Sequence, residues 1–172
     1  MLAVRAFLGL GTNLGDRAGH LRRALDGLGT AGVPARRVSA VWETEPVDAP
    51  SPLWFWNMAL SVEWGGRPIE LLDLLLDLEA RAGRTRTVPG APRTLDLDLL
   101  LVGDCVADDP RLRLPHPRMW VRRFVLAPLA EIAPAARNPL TCRSVAEELA
   151  RLGDPAVVRR IGALATLETA PL

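Results

Sequence analysis

The chain has 172 residues, 49% of them hydrophobic, and 21 basic against 20 acidic side chains leave a net charge of +1. That length supports one domain with a full-sized core and is too short for two comfortable ones, so residues 1–172 are read as a single domain. The near-zero balance excludes a general nucleic-acid surface, while arginines clustered at 81–93 and 111–123 leave room for a phosphate ligand.

In chain order, VRAFLGLG (4–11) reads as a strand ended by a glycine turn, and DRAGHLRRALDGLG (16–29) as a helix stopped by glycine. Residues 35–47 and 57–64 alternate as strands. PIELLDLLLDLEARAG (68–83) opens on proline, has wide apolar coverage and closes on Gly83, the pattern of a helix. The Pro- and Gly-rich stretch after it reads as a loop, 93–102 as a buried strand, and 103–111 as a polar turn. MWVRRFVLAPLAEIAP reads as partly helical around Pro128, RSVAEELARLG (143–153) as a short amphipathic helix, and 154–172 as a weakly specified tail. The order β-α-β-β-α-β predicts an α+β, ferredoxin-like sheet with helices packed on one face, followed by extra C-terminal helices.

Cys105 and Cys142 have neither zinc-ligand spacing nor the density of a disulfide scaffold, so both are expected as free thiols in a reducing compartment. His20 and His116 complete no ligand cluster with them. The apolar first eleven residues lack a cleavage site, and no apolar run reaches membrane-spanning length. The expectation is a cytoplasmic protein with neither membrane nor nucleic-acid partner.

The sharpest chemical signal is RTLDLDLLLV (93–102), where Asp96 and Asp98 interrupt an apolar strand. Residues two apart on a strand share a face, so both carboxylates point one way, while Leu95, Leu97 and Leu99 line the other. Two like charges held together need positive charge between them. Arginines from elsewhere, or one or two hard divalent cations with a phosphate-bearing substrate, would supply it. Arg84, Arg86 and Arg93 flank the pair; His116, fixed between prolines, could donate to phosphate; Arg122 and Arg123 follow it. The consecutive aromatics Trp54, Phe55 and Trp56 cannot all face inward from a strand, so at least one should be exposed or stacked. Asn57, next in line, could offer a donor and an acceptor to a heterocycle edge or cap a loop. GLGTNLGD is not a Walker loop or a Rossmann fingerprint.

Taken together, GLGTNLGDR, ETEPV with FWNMA, EARAGRTR, GAPRTLDLDLLL and LPHPRM followed by RRFVLAPLAEIAP resemble the 6-hydroxymethyl-7,8-dihydropterin pyrophosphokinase family of folate biosynthesis, over residues 4–135. The resemblance implies transfer of the β,γ-diphosphate of ATP to the pterin hydroxymethyl group with release of AMP. It implies Asp96 and Asp98 as ligands of two Mg2+ ions. Phe55 and Phe124 match the aromatic pair that sandwiches the pterin; Thr44, Asn57, the backbone at Val47 and Arg122 match its polar and basic surroundings. Arg84, Arg93 and His116 match groups on the triphosphate, and Leu99, Arg111 and Arg113 match positions lining the adenine site. Glu79 matches a helix-end acid near the nucleotide. The implied partners are ATP and the pterin, with a monomer expected and a dimer left open. Two features depart from the family pattern: TVPGAP (87–92) lacks the Arg-Trp pair of a closing loop, and position 45 is Glu where proline is common.

Overall fold

The computed structural model describes residues 2–46, 53–84 and 92–167. Its elements are β1 (Val4–Thr12), α1 (Arg17–Thr30), β2 (Arg37–Val38), β3 (Val41–Thr44), β4 (Phe55–Trp64), α2 (Pro68–Arg81), β5 (Asp96–Val102), β6 (Ala107–Asp108), β7 (Arg113–Leu114), α3 (Arg123–Ile132), α4 (Val145–Arg151) and β8 (Val158–Gly162). This is a mixed α/β arrangement. One antiparallel sheet runs β5-β1-β4-β3-β8 with β2 also paired to β4, and β6 and β7 form a separate hairpin.

Strand alternation sorts the core into two halves. Leu8 and Leu10 of β1, Met58, Leu60 and Val62 of β4, and Leu97 and Leu99 of β5 pack against Leu21 and Leu28 of α1 and Leu71, Leu75 and Leu78 of α2. On the other face, Phe7, Ala59 and Leu101 meet Leu126, Leu129 and Ile132 of α3 and Val145 leading α4. Helices therefore cover both faces, not one. Sequence reading could not place the last two, because an amphipathic pattern says that a helix packs and not against which face.

Four local expectations are corrected. The stretch read as one strand over 35–47 is β2 and β3, separated where Ser39 uses its own side chain: its Oγ accepts from the Ala59 N–H (2.9 Å) and donates to the Ala40 carbonyl (2.7 Å). The polar turn at 103–111 contains β6. The alternation of β5 breaks beyond Leu99: a register shift against β1 turns Leu101 to the acid face and Val102 to the opposite core. The tail carries β8, which pairs with β3 at the end of the sheet, and the segment after it is tied by Arg22, whose Nη2 donates to the carbonyls of Leu164 and Leu167 (3.2 and 2.5 Å).

Two elements deliver the site. Helix α2 starts on Pro68, already at the φ a helix needs, and ends where Gly83 turns left-handed (φ 75°). The Gly83 N–H reaches the Ala80 carbonyl and the Arg84 N–H the Glu79 carbonyl (3.0 and 3.1 Å). That stop throws Arg84 back towards the sheet. Helix α3 survives Pro128 because its apolar face, from Val125 to Ile132, is buried, and its first turn carries Phe124.

Candidate active site

Asp96 and Asp98 project from β5 on the face covered by α3 and α4, and β1 beside them presents only glycine there. Gly9 lies opposite Asp98 and Ala59; Gly11 lies opposite Asp96 and Asn57. A Cβ at Gly11 would sit 3.0 Å from Asn57 Oδ1 and 3.8 Å from Asp96 Cβ. The central strand thus forms a bare floor between an amide on one neighbouring strand and a carboxylate on the other. Asn57, itself buried, donates from Nδ2 to Thr44 Oγ1 (2.8 Å), which leaves Oδ1 turned over the glycine.

The charges around the acids interlock. Arg84 Nη1 donates to Asp96 Oδ1 and to Glu79 Oε1, and Arg93 Nη1 donates to Asp96 Oδ2. Glu79 is 3% exposed and also accepts the Leu97 N–H (2.7 Å), locking the end of α2 to the start of β5. Burial alone would raise the Asp96 carboxyl, but Arg93 and Arg84 override it and hold the group ionised, below its usual range. Among the described residues Asp98 has no such pair: burial first, then the charge of Asp96, push its carboxyl up to about 7 against the weaker pull of Arg122. With 35% of its side-chain surface open, Asp98 is crowded but accessible to a ligand.

His116 follows the cis Leu114–Pro115 peptide and is anchored by its N–H on the Leu100 carbonyl (2.9 Å). Burial, then Arg122 and Arg118, push its ring down to about 4, so the imidazole is neutral at pH 7. Its Nδ1 accepts the Arg118 N–H (3.3 Å), which assigns the proton to Nε2, 3.9 Å from Asp98 Oδ1. The ring therefore presents a neutral donor beside the acids.

Each aromatic in the run 54–56 carries a guanidinium on its face: Arg159 over Trp54 (5.3 Å), Arg93 over Phe55 (5.7 Å) and Arg17 over Trp56 (4.2 Å). Arg122 lies over Phe124 (5.4 Å). A hollow of about 600 Å³ is lined by residues including Asn13, Arg17, Glu43 and Trp54. Its Arg17 is held by Glu43 (3.6 Å) and the Trp54 carbonyl (3.2 Å).

The structure brings Arg84, Arg93, Asp96, Asp98, His116, Glu79 and Asn57 together, with Thr44 bonded behind Asn57, and seats Phe55 and Phe124 under Arg93 and Arg122. Other expectations fall elsewhere. The side chain of Leu99 is buried in the α2-side core (3% exposed), leaving only its backbone for a ligand. Arg113 pairs with Asp108 across the β6–β7 hairpin (3.0 Å) and Arg111 with Asp73 of α2 (2.5 Å). Val47, Arg86 and residues 87–91 of the closing loop lie outside the described residues. Glu45 replaces proline's stiffness with two bonds a proline could not reproduce: its N–H donates to the Val157 carbonyl (3.2 Å) and its Oε1 accepts the Val157 N–H (2.7 Å).

Sequence reading missed three contributors. Gly11 is the floor. Asn13, 4% exposed, pins Arg93 by accepting its N–H on Oδ1 (2.8 Å) and donating its own N–H to the Arg93 carbonyl (3.1 Å). Arg118 adds positive charge next to His116 and Arg122. The signal for the first two was a buried polar residue directly after a glycine-bearing strand, in GTN.

Two carboxylates on one face suit Mg2+, which binds through one or two carboxylates and leaves its other positions to phosphate and water. Among the described residues no group of three or more His, Cys, Asp or Glu side chains forms a self-sufficient metal cage, so the pair fits an ion that arrives with a phosphate.

Residues 7–134 match the family model described as 7,8-dihydro-6-hydroxymethylpterin-pyrophosphokinase. A Bacillus subtilis 2-amino-4-hydroxy-6-hydroxymethyldihydropteridine pyrophosphokinase is 41% identical over 148 residues, covering 86% of this chain and 89% of the relative. The Methylorubrum extorquens enzyme of the same name is 39% identical over 158 residues, covering 91% and 98%. A crystal structure of wild-type Plasmodium falciparum HPPK-DHPS superposes with a TM-score of 0.65 at 13% identity, over 86% of this chain. This chain spans 43% of that longer one, and the likeness speaks to the fold alone. Alignment of two bacterial enzymes across nearly their whole length, joined to the family match over the acid-bearing strand and the His116 turn, leaves one assignment: the chain belongs to the 7,8-dihydro-6-hydroxymethylpterin-pyrophosphokinase family.

Proposed function

We infer that this chain carries out its family's reaction on the glycine floor of β1: transfer of the diphosphate of ATP to the hydroxymethyl oxygen of 6-hydroxymethyl-7,8-dihydropterin, with release of AMP. The observation that carries the siting is the register that puts Asn57 and Asp96 on either side of Gly11. They stand two strand spacings apart, roughly 10 Å, enough to seat a heterocycle against one and a phosphate chain against the other.

In this reading the pterin stacks between Phe55 and Phe124 and displaces the guanidinium from at least one ring. Asn57 Oδ1, its orientation fixed by Thr44, accepts from a pterin N–H, and Arg122 borders the bound ring. A fixed acceptor rejects a ring edge that presents a lone pair, because both groups would be left unpaired in a dry pocket. Val47 is proposed to add a backbone contact. Arg84, Arg93 and the Nε2–H of His116 bind the triphosphate, with Arg111, Arg113 and the Leu99 backbone towards the nucleoside. We propose Asp96 and Asp98 as the metal ligands for two Mg2+ ions, which when bound neutralise phosphate charge and lower the pKa of the attacking hydroxyl. The protein's own contribution is alignment: it holds acceptor oxygen and β-phosphorus in line and excludes water behind the two aromatics. We further propose a single-domain, cytoplasmic monomer with a fold of the ferredoxin-like type, supported by the strand order β5-β1-β4-β3. No helix among the described residues is long and apolar enough to cross a membrane.

The test is direct. Purified protein with ATP, Mg2+ and the pterin is expected to release AMP in step with pterin diphosphate; formation of ADP would sink the diphosphate assignment. Replacing Phe124 by Ala is expected to weaken pterin binding by about 1 kcal/mol beyond the lost contact area, read by isothermal titration. Unchanged affinity would place Phe124 in the core only.

A further inference from the structure

Both oxygens of Asp96 are taken by guanidinium groups: Oδ1 by Arg84 and Oδ2 by Arg93. Among the described residues no arginine pairs with Asp98, and the neutral His116 ring stands 3.9 Å away. The two acids are thus in opposite conditions, one bound on both oxygens by guanidinium groups and one open to a ligand. Arg84 has a second anchor, since the same Nη1 reaches Glu79, whose carboxylate is itself pinned by the Leu97 N–H (2.7 Å). The arrangement is enclosed: the side chains of Arg84, Asp96 and Arg93 are 15%, 18% and 24% exposed, and that of Glu79 is 3%.

A divalent cation approaching Asp96 meets a guanidinium charge at each oxygen, and repulsion between the cations opposes its binding while both arginines stay. It needs those arginines withdrawn, and withdrawing two half-buried cations costs free energy unless another anion receives them. A nucleotide's phosphates are that anion: they match the guanidinium fork and bring more charge than a carboxylate.

We propose that Glu79, Arg84 and Arg93 form a carboxylate-for-phosphate exchange, in which the arginines hold Asp96 until nucleotide phosphate draws them off and frees it for the metal, with Glu79 keeping Arg84 within reach of both anions. This rests on the functional reading above and goes beyond it. Glu79 acts as a positioning residue that touches Arg84 and not the nucleotide. The exchange makes metal and nucleotide bind cooperatively through the protein, beyond their affinity for each other in solution, by a factor in the range of about 5 to 150 typical of site coupling.

The test uses the full chain and three readouts. First, with divalent ions chelated, a non-hydrolysable ATP analogue is expected to shift the side-chain 15N–1H resonances of both Arg84 and Arg93, as their partner changes from carboxylate to phosphate. Second, Mn2+ binding without nucleotide, followed by electron paramagnetic resonance, is expected to tighten about tenfold in Arg84→Lys. That variant keeps the charge and loses the fork, so unchanged Mn2+ affinity would overturn the exchange. Third, Glu79→Gln is expected to raise the ATP KM about tenfold with the pterin KM unchanged; both constants moving together would make Glu79 merely structural and overturn its part. An analogue that binds and leaves both arginine resonances in place defeats this inference alone. A chain that binds no ATP analogue defeats it together with the functional reading.

Discussion

Asp98→Asn is expected to lower turnover at least about a thousandfold, equivalent to about 4 kcal/mol of transition-state stabilisation, while the folded protein becomes no less stable. The two effects have opposite signs because one carboxylate serves opposite interests. As the proposed metal ligand it must be ionised; as a partly buried group beside Asp96 it resists ionisation against the weaker pull of Arg122, and its carboxyl rises from an ordinary value of 3.8 to about 7. The folded protein therefore holds a proton that the unfolded chain releases between these values. The stabilisation tied to that proton is fully present below pH 4 and is lost as the pH climbs through 7. Asparagine keeps the shape and never ionises, so the variant's thermal unfolding temperature should gain on the wild type from pH 5 to pH 8. AMP release and unfolding curves at those two pH values check both halves. A variant that unfolds makes the carboxylate structural; one that keeps its turnover removes Asp98 from the metal site.

Gly11→Val is expected to raise the pterin KM by about a hundredfold or more, and Gly11→Ala by several-fold. The alanine methyl would meet Asn57 Oδ1 at 3.0 Å, tighter than an ordinary contact, so the amide has to give by a few tenths of an ångström. Valine adds two methyl groups in a site walled by Asn57 and Asp96, and overpacking of this kind costs about 1–3 kcal/mol even where side chains can shift. Here the yielding side chain is the one proposed to read the heterocycle, and it leans on Thr44. Steady-state kinetics with the pterin varied, beside a circular dichroism spectrum showing an intact sheet, separates blockage from misfolding. A normal KM in the valine variant would mean that the pterin does not rest on β1.

What the sequence disclosed depended on how local the cause was. The acid face of β5 followed from period-two alternation, and Leu95, Leu97 and Leu99 are buried opposite the acids as that period requires. Helix α2 was legible because its proline start and glycine stop are chemical signals within the helix itself. Strand β8 was not: VRRIG has no alternation, and it becomes a strand because Glu43 and Thr44 of β3 offer a ladder to Arg159 and Val158. Its cause lies over a hundred residues away. Gly11 looked like a turn residue that failed a phosphate-loop pattern; its purpose appears only once register places Asn57 on one side and Asp96 on the other. Arg111 and Arg113 match nucleotide-lining positions by analogy alone; that each also meets an acid of this chain, Asp73 and Asp108, is something a family pattern does not record.

The same end strand bears on how molecules of this protein behave towards one another. A sheet that stops at β8 exposes a row of unpaired backbone groups, the usual template for edge-to-edge stacking and precipitation. Here that edge carries two consecutive arginines, each drawn to a fixed seat: Arg160 to Glu131 of α3 (3.1 Å) and Arg159 onto the Trp54 ring. Bulky side chains are thereby held in place along this end strand, where they crowd the approach of a second copy. The strand that completes the sheet at this end thus also carries the side chains that shield its edge.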